Sequence, residues 1–177
     1  MIPGPVPEHS DFVKFPLDPA VLYFHCPDME AGDKNYGYGA PGWTPLSGQW
    51  KYNTGGSSGN YDKVAVFRDG AWYVDMNGNG HMMTGLTVHG FGAPGWTPVK
   101  GDWNGDGTTN IGVYNNGVWY LDNDGSGTWN AGDKNYAFGG PGYRPVVGDW
   151  TADGITEIGV SNGGTWYLDY NGDGTFN

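Results

Sequence analysis

Hydrophobic and polar positions along this chain recur as short apolar stretches separated by loops rich in Gly, Asp and Asn. Such stretches, bounded by turn residues, are typical of β-strands. An Asn-Gly pair at residues 116–117 predicts a tight hairpin, because both turn residues can take positive φ angles. A second hairpin is predicted at residues 162–164 (NGG), between strands at 158–161 and 165–169. In the clearest repeat the predicted strands are residues 95–103, 110–114, 118–122 and 134–138.

The pattern has a fixed period. The Trp-Tyr pairs that begin at Trp72, Trp119 and Trp166 are 47 and again 47 residues apart. An aromatic-Gly-x-Pro-Gly turn also occurs three times, at residues 38–42, 91–95 and 138–142. Periods in the forties built from short strands and Gly turns are typical of propeller blades. The sequence therefore predicts an all-β chain of β-propeller blades, each of four antiparallel strands. The Trp-Tyr pairs are expected to be buried between blades, with a ligand-stacking platform as the alternative.

The blades are expected to follow an extended, Pro-rich arm at residues 1–20. The first repeat is longer than the second, and its extra residues fall within Lys51–Asn60, where a surface insertion is expected. The predicted divisions of the repeat region 21–177 are a partial blade at 21–39, blades at 40–92 and 93–139, and a blade lacking its last strand at 140–177.

The two ends of the repeat region complement each other. The string AGDKNY at residues 31–36 recurs at 131–136, and the last residues of the chain, 175–177, correspond to those that precede it. We therefore expect Lys34–Tyr38 to pair as an outer strand beside Thr165–Asp169. Because about three blades are not expected to close a ring alone, this pairing is predicted to cross between chains in a homo-oligomer, with a dimer favoured.

Composition and charge narrow the function classes. The chain has 34 Gly, 16% aromatic and 15% charged residues, and a net charge of −11. An excess of acids makes nucleic acid and anionic membranes poor partners. Its one cysteine, Cys26, excludes an intrachain disulfide, and no apolar run is long enough to insert into a membrane. The acids concentrate in the repeated loops, which favours neutralisation by metal ions.

The first loop class has the oxygen-rich spacing of a calcium site. Side-chain oxygens stand at loop positions 1, 3, 5 and 9, and position 7 can offer its carbonyl, a donor set suited to Ca²⁺. The first repeat has Gln49 and Lys51 at the start of this loop, so no site is expected there. The predicted ligands are Asp102, Asn104, Asp106, Thr108 and Asn110 in one loop, and Asp149, Thr151, Asp153, Ile155 and Glu157 in the next.

The second loop class follows each Trp-Tyr pair and has the spacing of a twelve-residue calcium loop without flanking helices. Asp33 is expected to complete the last copy, whereas the loop that starts at Asp75 is expected to be a plain turn. Asp/Asn/Gly loops also form metal-free β-turns, which is the alternative for both classes. The predicted ligands are Asp122, Asp124, Ser126, Thr128, Asn130 and Asp133, and then Asp169, Asn171, Asp173, Thr175 and Asn177.

The FGAPG turn at residues 91–95 and the DWNGDGTTNI loop at 102–111 together resemble the FG-GAP (VCBS-type, integrin α-chain-like) calcium-binding β-propeller repeat family. The resemblance extends over residues 21–177. It implies a propeller, commonly of seven blades, in which the calcium loop joins the first two strands of a blade. It also implies an extracellular or cell-surface location and a role in adhesion or ligand binding.

These observations favour a non-catalytic calcium-binding module for extracellular adhesion, ligand binding or self-assembly. No catalytic constellation is apparent, because the four histidines do not occupy matching repeat positions. A third possibility, a polysaccharide-active enzyme, would need a cleft made by residues such as Asp62, His81 and His89. The alternative is a lectin-like module that stacks sugars on Trp43, Trp96, Tyr143, Trp129 and Phe176.

Overall fold

A computed structural model describes residues 37–50, 62–76 and 86–176 of the chain. Every regular element in these ranges is a β-strand. The strands are β1 (Thr44–Gly48), β2 (Lys63–Arg68), β3 (Ala71–Asp75), β4 (Leu86–Gly90), β5 (Thr97–Gly101), β6 (Asn110–Asn115), β7 (Val118–Leu121), β8 (Lys134–Ala137), β9 (Arg144–Gly148), β10 (Glu157–Asn162) and β11 (Thr165–Leu168).

The strands form three antiparallel sheets in which sequence neighbours pair. The first sheet has the order β1-β2-β3-β4, the second β5-β6-β7-β8 and the third β9-β10-β11. None closes into a barrel. The prediction of an all-β chain of antiparallel strands is confirmed for the described residues, and each strand predicted in the second and third repeats is present, with bounds that differ by up to two residues.

The hairpins between the second and third strands of each sheet have the expected backbone. Asn116 and Gly117 have φ angles of 50° and 98°, and Gly163 and Gly164 have 58° and 87°. Positive φ at both central residues gives a turn whose twist matches that of the flanking strands. The register follows, with Asn115 opposite Val118 and Asn162 opposite Thr165.

The tryptophans of the Trp-Tyr pairs show how the sheets are covered. Trp72 and Trp119 are fully buried, and each indole N–H donates to the carbonyl of an aromatic residue beyond the fourth strand, Phe91 at 3.1 Å and Phe138 at 2.9 Å. Trp166 in β11 is instead 60% exposed. The expectation that every such pair is buried is therefore wrong for the third sheet, because no described strand lies beyond β11 to cover it.

Proline protects one edge of every sheet. β1, β5 and β9 are edge strands, and each carries Pro at its second position: Pro45, Pro98 and Pro145. A proline has no N–H to donate to an added strand, so these edges resist pairing with another chain.

Adjacent sheets are joined by a reciprocal pair of hydrogen bonds that occurs twice. Thr109, just before β6, donates its N–H to the Gln49 carbonyl at 2.7 Å, and its hydroxyl accepts from the Gln49 N–H at 3.0 Å. Thr156, just before β10, makes the same two bonds with Asp102, at 2.7 and 3.0 Å. The second sheet is therefore fastened to the first, and the third to the second, by one repeated contact.

The aromatic-Gly-x-Pro-Gly turn forms the corner between one sheet and the next. Phe91 donates its N–H to the carbonyl of Gly70, in the first sheet's hairpin, at 3.0 Å. Gly92 then packs against Val113 of the second sheet, at a site where a Cβ would lie 3.0 Å from the valine side chain. Its φ of 124° also favours glycine. The aromatic residue of the motif therefore hydrogen-bonds to the preceding sheet, and the glycine after it packs against the following sheet.

Several expectations fall on residues outside the described ranges. These are the arm at residues 1–20, most of the partial blade at 21–39, the insertion at Lys51–Asn60, and the residues Cys26 and Asp33. Among the residues that are described, no helix has the length and apolarity needed to cross a bilayer.

Candidate metal centres

The loop at residues 102–110 connects β5 to β6 and is shaped by its first residue. One carboxylate oxygen of Asp102 accepts from the amides of Gly105 at 2.8 Å and Asp106 at 3.0 Å, and the other accepts from Gly107 at 2.7 Å. The buried indole of Trp103 anchors the loop by donating to the Ile111 carbonyl at 3.0 Å. The predicted position 1 is thus directed into the concave side of the loop.

The middle of this loop brings two further predicted ligands together. The Asn104 side-chain oxygen accepts from the Asp106 amide at 3.1 Å, and its NH₂ group donates to an Asp106 carboxylate oxygen at 3.3 Å. The other Asp106 oxygen accepts from the amide and the hydroxyl of Thr108. The side chains of positions 3 and 5 are therefore in direct contact with each other.

Asn110, at loop position 9, is a predicted ligand whose side chain is buried without a partner among the described residues. It is fully buried at the start of β6, and neither its side-chain oxygen nor its NH₂ group has a hydrogen-bond partner among the described residues. A buried polar group without a partner costs about 1–3 kcal/mol. An ion held by this loop would offer the Asn110 oxygen a partner, so the residues present fit a calcium site.

In the corresponding loop before β10, three acids converge. Carboxylate oxygens of Asp149, Asp153 and Glu157 all lie within 4.8 Å of one another. Hydrogen bonds from backbone amides, above all that of Gly154, hold the pKa of Asp149 below its usual range. Its carboxylate is therefore ionised at neutral pH and available to a cation.

Three predicted ligands of this loop also make hydrogen bonds within it. The buried Glu157 accepts from the Trp150 amide at 2.7 Å and from the Thr151 hydroxyl at 3.1 Å. Thr151 at position 3 therefore orients Glu157, and Ile155 at position 7 donates its amide to Asp153 at 2.8 Å. The structure brings together the acids of positions 1, 5 and 9 in this loop.

The loop at residues 122–133 connects β7 to β8 and forms the second acidic cluster. Oxygens of Asp122, Asp124 and Asp133 lie within 4.8 Å of one another. The buried Asp122 accepts from the Ser126 amide at 3.0 Å and from the Gly127 amide at 2.9 Å, which wraps the loop around its carboxylate. The acids at loop positions 1, 3 and 12 are therefore brought together in one site.

Asn130 marks the centre of this cluster. Its NH₂ group donates to Asp124 at 3.0 Å, to the Ser126 hydroxyl at 2.8 Å and to the Thr128 carbonyl at 3.1 Å. Three oxygens from positions 3, 5 and 7 thus face the partial positive charge of one amide group. Burial alone would raise the pKa of Asp124, but the hydrogen bonds from Ser126 and Asn130 outweigh it and lower that pKa. Asp124, Ser126, Thr128 and Asn130 are therefore residues that would hold a cation in this loop through their oxygens.

The last copy of this loop is described up to residue 176. Asp169 is only 4% exposed; one of its oxygens accepts from the Gly174 amide at 2.8 Å, and the other has no hydrogen-bond partner among the described residues. A hydrogen bond from the Thr175 amide is the main cause of a lowered pKa at Asp173, to which Asn171 also donates at 2.7 Å. Asn177 and Asp33, predicted to complete this site, lie outside the described residues.

The two loop classes meet at one end of the second sheet. The Asn104 NH₂ group, besides contacting Asp106, donates to the Asn123 carbonyl at 2.9 Å. The Asn104 side chain, predicted to bind metal in the first loop, is thereby hydrogen-bonded to Asn123, which follows Asp122 in the second loop. The spacing within each loop gives no indication of this link, because it joins residues 19 positions apart.

The two second-class loops that the structure describes, at residues 122–133 and 169–176, also rest on the sheet before them, through contacts that the sequence did not reveal. An added Cβ at Gly127 would overlap His89 of β4, and one at Gly174 would overlap the ring of Tyr136 in β8. Burial lowers the pKa of His89 and raises that of Tyr136. The recurrence of glycine at loop position 6 is the only sequence signal for these contacts.

A matched pair of glycines tests this packing. Gly172 and Gly174 have φ angles of 65° and 68°, but no atom lies within 4 Å of a Cβ added at Gly172. Each change to alanine costs about 1–2 kcal/mol for the left-handed backbone. We expect Gly174→Ala to lower the free energy of unfolding well beyond Gly172→Ala, because it must also displace Tyr136. Urea unfolding measures both, and equal losses would contradict the packing of this loop on the second sheet.

The residues predicted as stacking platforms all contact other aromatic rings. Ring centroids are 4.8 Å apart for Trp43 and Tyr73, 5.0 Å for Trp96 and Tyr120, and 5.9 Å for Tyr143 and Tyr167. Two further candidates lie on these clusters, Trp129 at 5.5 Å from Tyr120 and Phe176 at 5.1 Å from Tyr167.

Of these, Trp129 is the most exposed, with 51% of its surface accessible although it lies within the 122–133 loop. The cleft suggested for an enzyme is not assembled by the residues the structure describes. His89 is buried beneath Gly127, Asp62 is exposed, and His81 lies outside the described ranges.

Comparisons with family models, with curated proteins and with solved structures found no match to this chain.

Proposed function

We propose that this protein is a non-catalytic calcium-binding module whose three sheets are successive blades of a β-propeller. The observation that carries the proposal is the repeated convergence of carboxylates, with the buried Asn110 side chain and one Asp169 oxygen lacking a partner among the described residues. The repeated bonds of Thr109 and Thr156 to the preceding sheet support a regular blade-to-blade relation.

The chemistry of the loops favours calcium. Their donors are carboxylate, amide, hydroxyl and carbonyl oxygens, with no cysteine or histidine in either acidic cluster. Hard divalent cations prefer such donors, and Ca²⁺ accepts six to eight of them in irregular geometry. The millimolar calcium found outside cells would fill even weak sites, with dissociation constants of about 10⁻⁴–10⁻³ M, which is consistent with an extracellular role in adhesion or ligand binding.

Calcium titration of chelator-treated protein by isothermal calorimetry tests the proposal. We expect saturable binding of more than one ion, and the loss of one site in Asp153→Asn, because this change removes a charge from the cluster with Asp149 and Glu157. Asp69→Asn is a matched control, since Asp69 lies in a hairpin turn and pairs with Arg68 at 3.1 Å. Absence of calcium binding up to ~10 mM, an order of magnitude above the affinity range of extracellular modules, would exclude this function.

A second candidate function is calcium-dependent carbohydrate binding. The half-exposed Trp129 favours it, because its ring is held by Phe91 and Tyr120 within a loop that carries an acidic cluster. Sugar rings stack on such faces, and an ion in the loop would fix the ring's position. A glycan array probed with and without calcium should show binding that Trp129→Ala abolishes while Tyr170→Phe, a change at another exposed ring, retains it. An array without signal would exclude this candidate.

A further inference from the structure

The first strands of the three sheets line a groove. It has a volume of about 460 Å³ and lies between residues 97–100 of β5 and 144–147 of β9, with Leu46 of β1 beside them. This volume is within the range of about 300–1,000 Å³ that is typical of small-molecule sites. The lining is mainly apolar and includes Pro98 and Pro145, which have no N–H to offer to an added strand. The groove therefore suits a small molecule better than an extended peptide.

Two cations line this groove, Lys100 and Arg144. Their side chains make no hydrogen bond or ion pair with any described residue. The other described Lys and Arg side chains each donate to a backbone carbonyl or a carboxylate: Lys63, Arg68 and Lys134. In a chain with a net charge of −11, two cations without a partner on one groove favour an anionic ligand at that place.

The internal repeat shows that neither cation is needed to form the strand in which it lies. Lys100 is the fourth residue of β5, and its counterparts in β1 and β9 are Ser47 and Val147. Arg144 is the first residue of β9, whereas β1 and β5 both begin with threonine. Since the equivalent strands form with neutral residues at these positions, the two charges serve the groove rather than the fold.

Lys100 and Arg144 lie toward opposite ends of the groove. β5 and β9 each begin just after a Gly-x-Pro-Gly turn and end just before a first-class loop. Arg144 is at the turn end of its strand, and Lys100 is near the loop end of its own. The three residues of strand between these two levels correspond to a rise of about 10 Å.

We infer that this groove binds a small linear dicarboxylate, an organic acid with an apolar body and a carboxylate at each end. One carboxylate accepts hydrogen bonds from the Lys100 ammonium and the other from the Arg144 guanidinium, in charge-assisted pairs. The apolar body of the ligand contacts Val99 and Val146 in the lining between them. The groove contains no predicted metal ligand, so this site is independent of calcium.

Titration with octanedioate, an apolar chain with a carboxylate at each end, tests the inference by isothermal calorimetry. We expect saturable binding to the parent protein. Lys100→Ser and Arg144→Thr should each weaken it about tenfold, roughly the loss of one hydrogen bond to a charged group. Each change introduces a residue that another first strand carries at the same position, so both variants are expected to fold, which thermal melts verify.

Arg68→Asn is the matched control. It also removes one positive charge, and asparagine is the residue that β6 and β10 carry at the same position, as Asn115 and Asn162. Arg68 does not line the groove, so this variant should bind octanedioate as the parent does.

Two further probes separate charge from apolar contact. Octanoate, which has one carboxylate, should bind about tenfold more weakly than octanedioate, and the neutral octanediol should give no measurable binding. The inference is overturned if octanedioate does not bind the parent up to ~10 mM, a very weak affinity on the usual scale. It is also overturned if octanediol binds as tightly as octanedioate, or if Arg68→Asn weakens binding as much as the changes in the groove. The titrations are made with and without calcium, and equal affinities are expected in the two conditions.

Discussion

Replacing Trp119 by alanine is expected to destabilise the protein by about 3–5 kcal/mol, the usual cost of deleting a buried large aromatic side chain. The indole is fully buried among Tyr114, Phe138 and their neighbours, with a ring centroid 5.0 Å from that of Tyr114. The change also leaves the Phe138 carbonyl without its donor. The melting temperature should fall on the order of 10 °C, at about 2–4 °C per kcal/mol for a chain of this size.

Trp166→Ala is the matched control for Trp119→Ala. It deletes the same side chain from the same repeat position, but one that is 60% exposed. At a concentration where both proteins are monomeric, its melting temperature should stay close to that of the parent, because surface changes usually alter stability by less than about 0.5 kcal/mol. Equal losses in the two variants would mean that the third sheet is covered in the isolated chain.

Substitutions at Asn110 should have opposite effects with and without calcium. In chelator, Asn110→Leu should raise the melting temperature, because it removes a buried polar group without a partner, worth about 1–3 kcal/mol. Asn110→Asp should lower it, since a buried carboxylate without a partner costs more than a buried neutral amide. With calcium the order should reverse, because the aspartate adds a charged ligand while the leucine removes a neutral one.

Calorimetric melts of the parent and both variants, in chelator and in excess calcium, measure this reversal. Ions that bind only the folded state stabilise it by about 2.7 kcal/mol at one hundred times the dissociation constant. Asn115→Asp, at the other end of β6 and not fully buried, controls for the added charge. If the leucine and aspartate variants keep the same order in both conditions, Asn110 is not a ligand and the 102–110 loop is a metal-free turn.

The sequence by itself determined the strands, the hairpins and the ligand spacing, because each depends on residues close together in the chain. Asn116 and Gly117 accept the φ angles of a hairpin wherever it lies. The alternating oxygens of residues 122–133 converge because a tight Gly-containing loop leaves few other arrangements.

Only the tertiary structure decided what depends on neighbouring sheets. Trp119 and Trp166 both begin the string WYLD, yet one is buried and the other is 60% exposed, because burial is set by the strand and sheet packed outside them. The unpartnered state of Asn110, the Asn104–Asn123 link and the packing of Tyr136 over Gly174 likewise arise from distant segments meeting. Periodicity specifies which residues repeat, but the environment of each copy is set by what lies beside it in space.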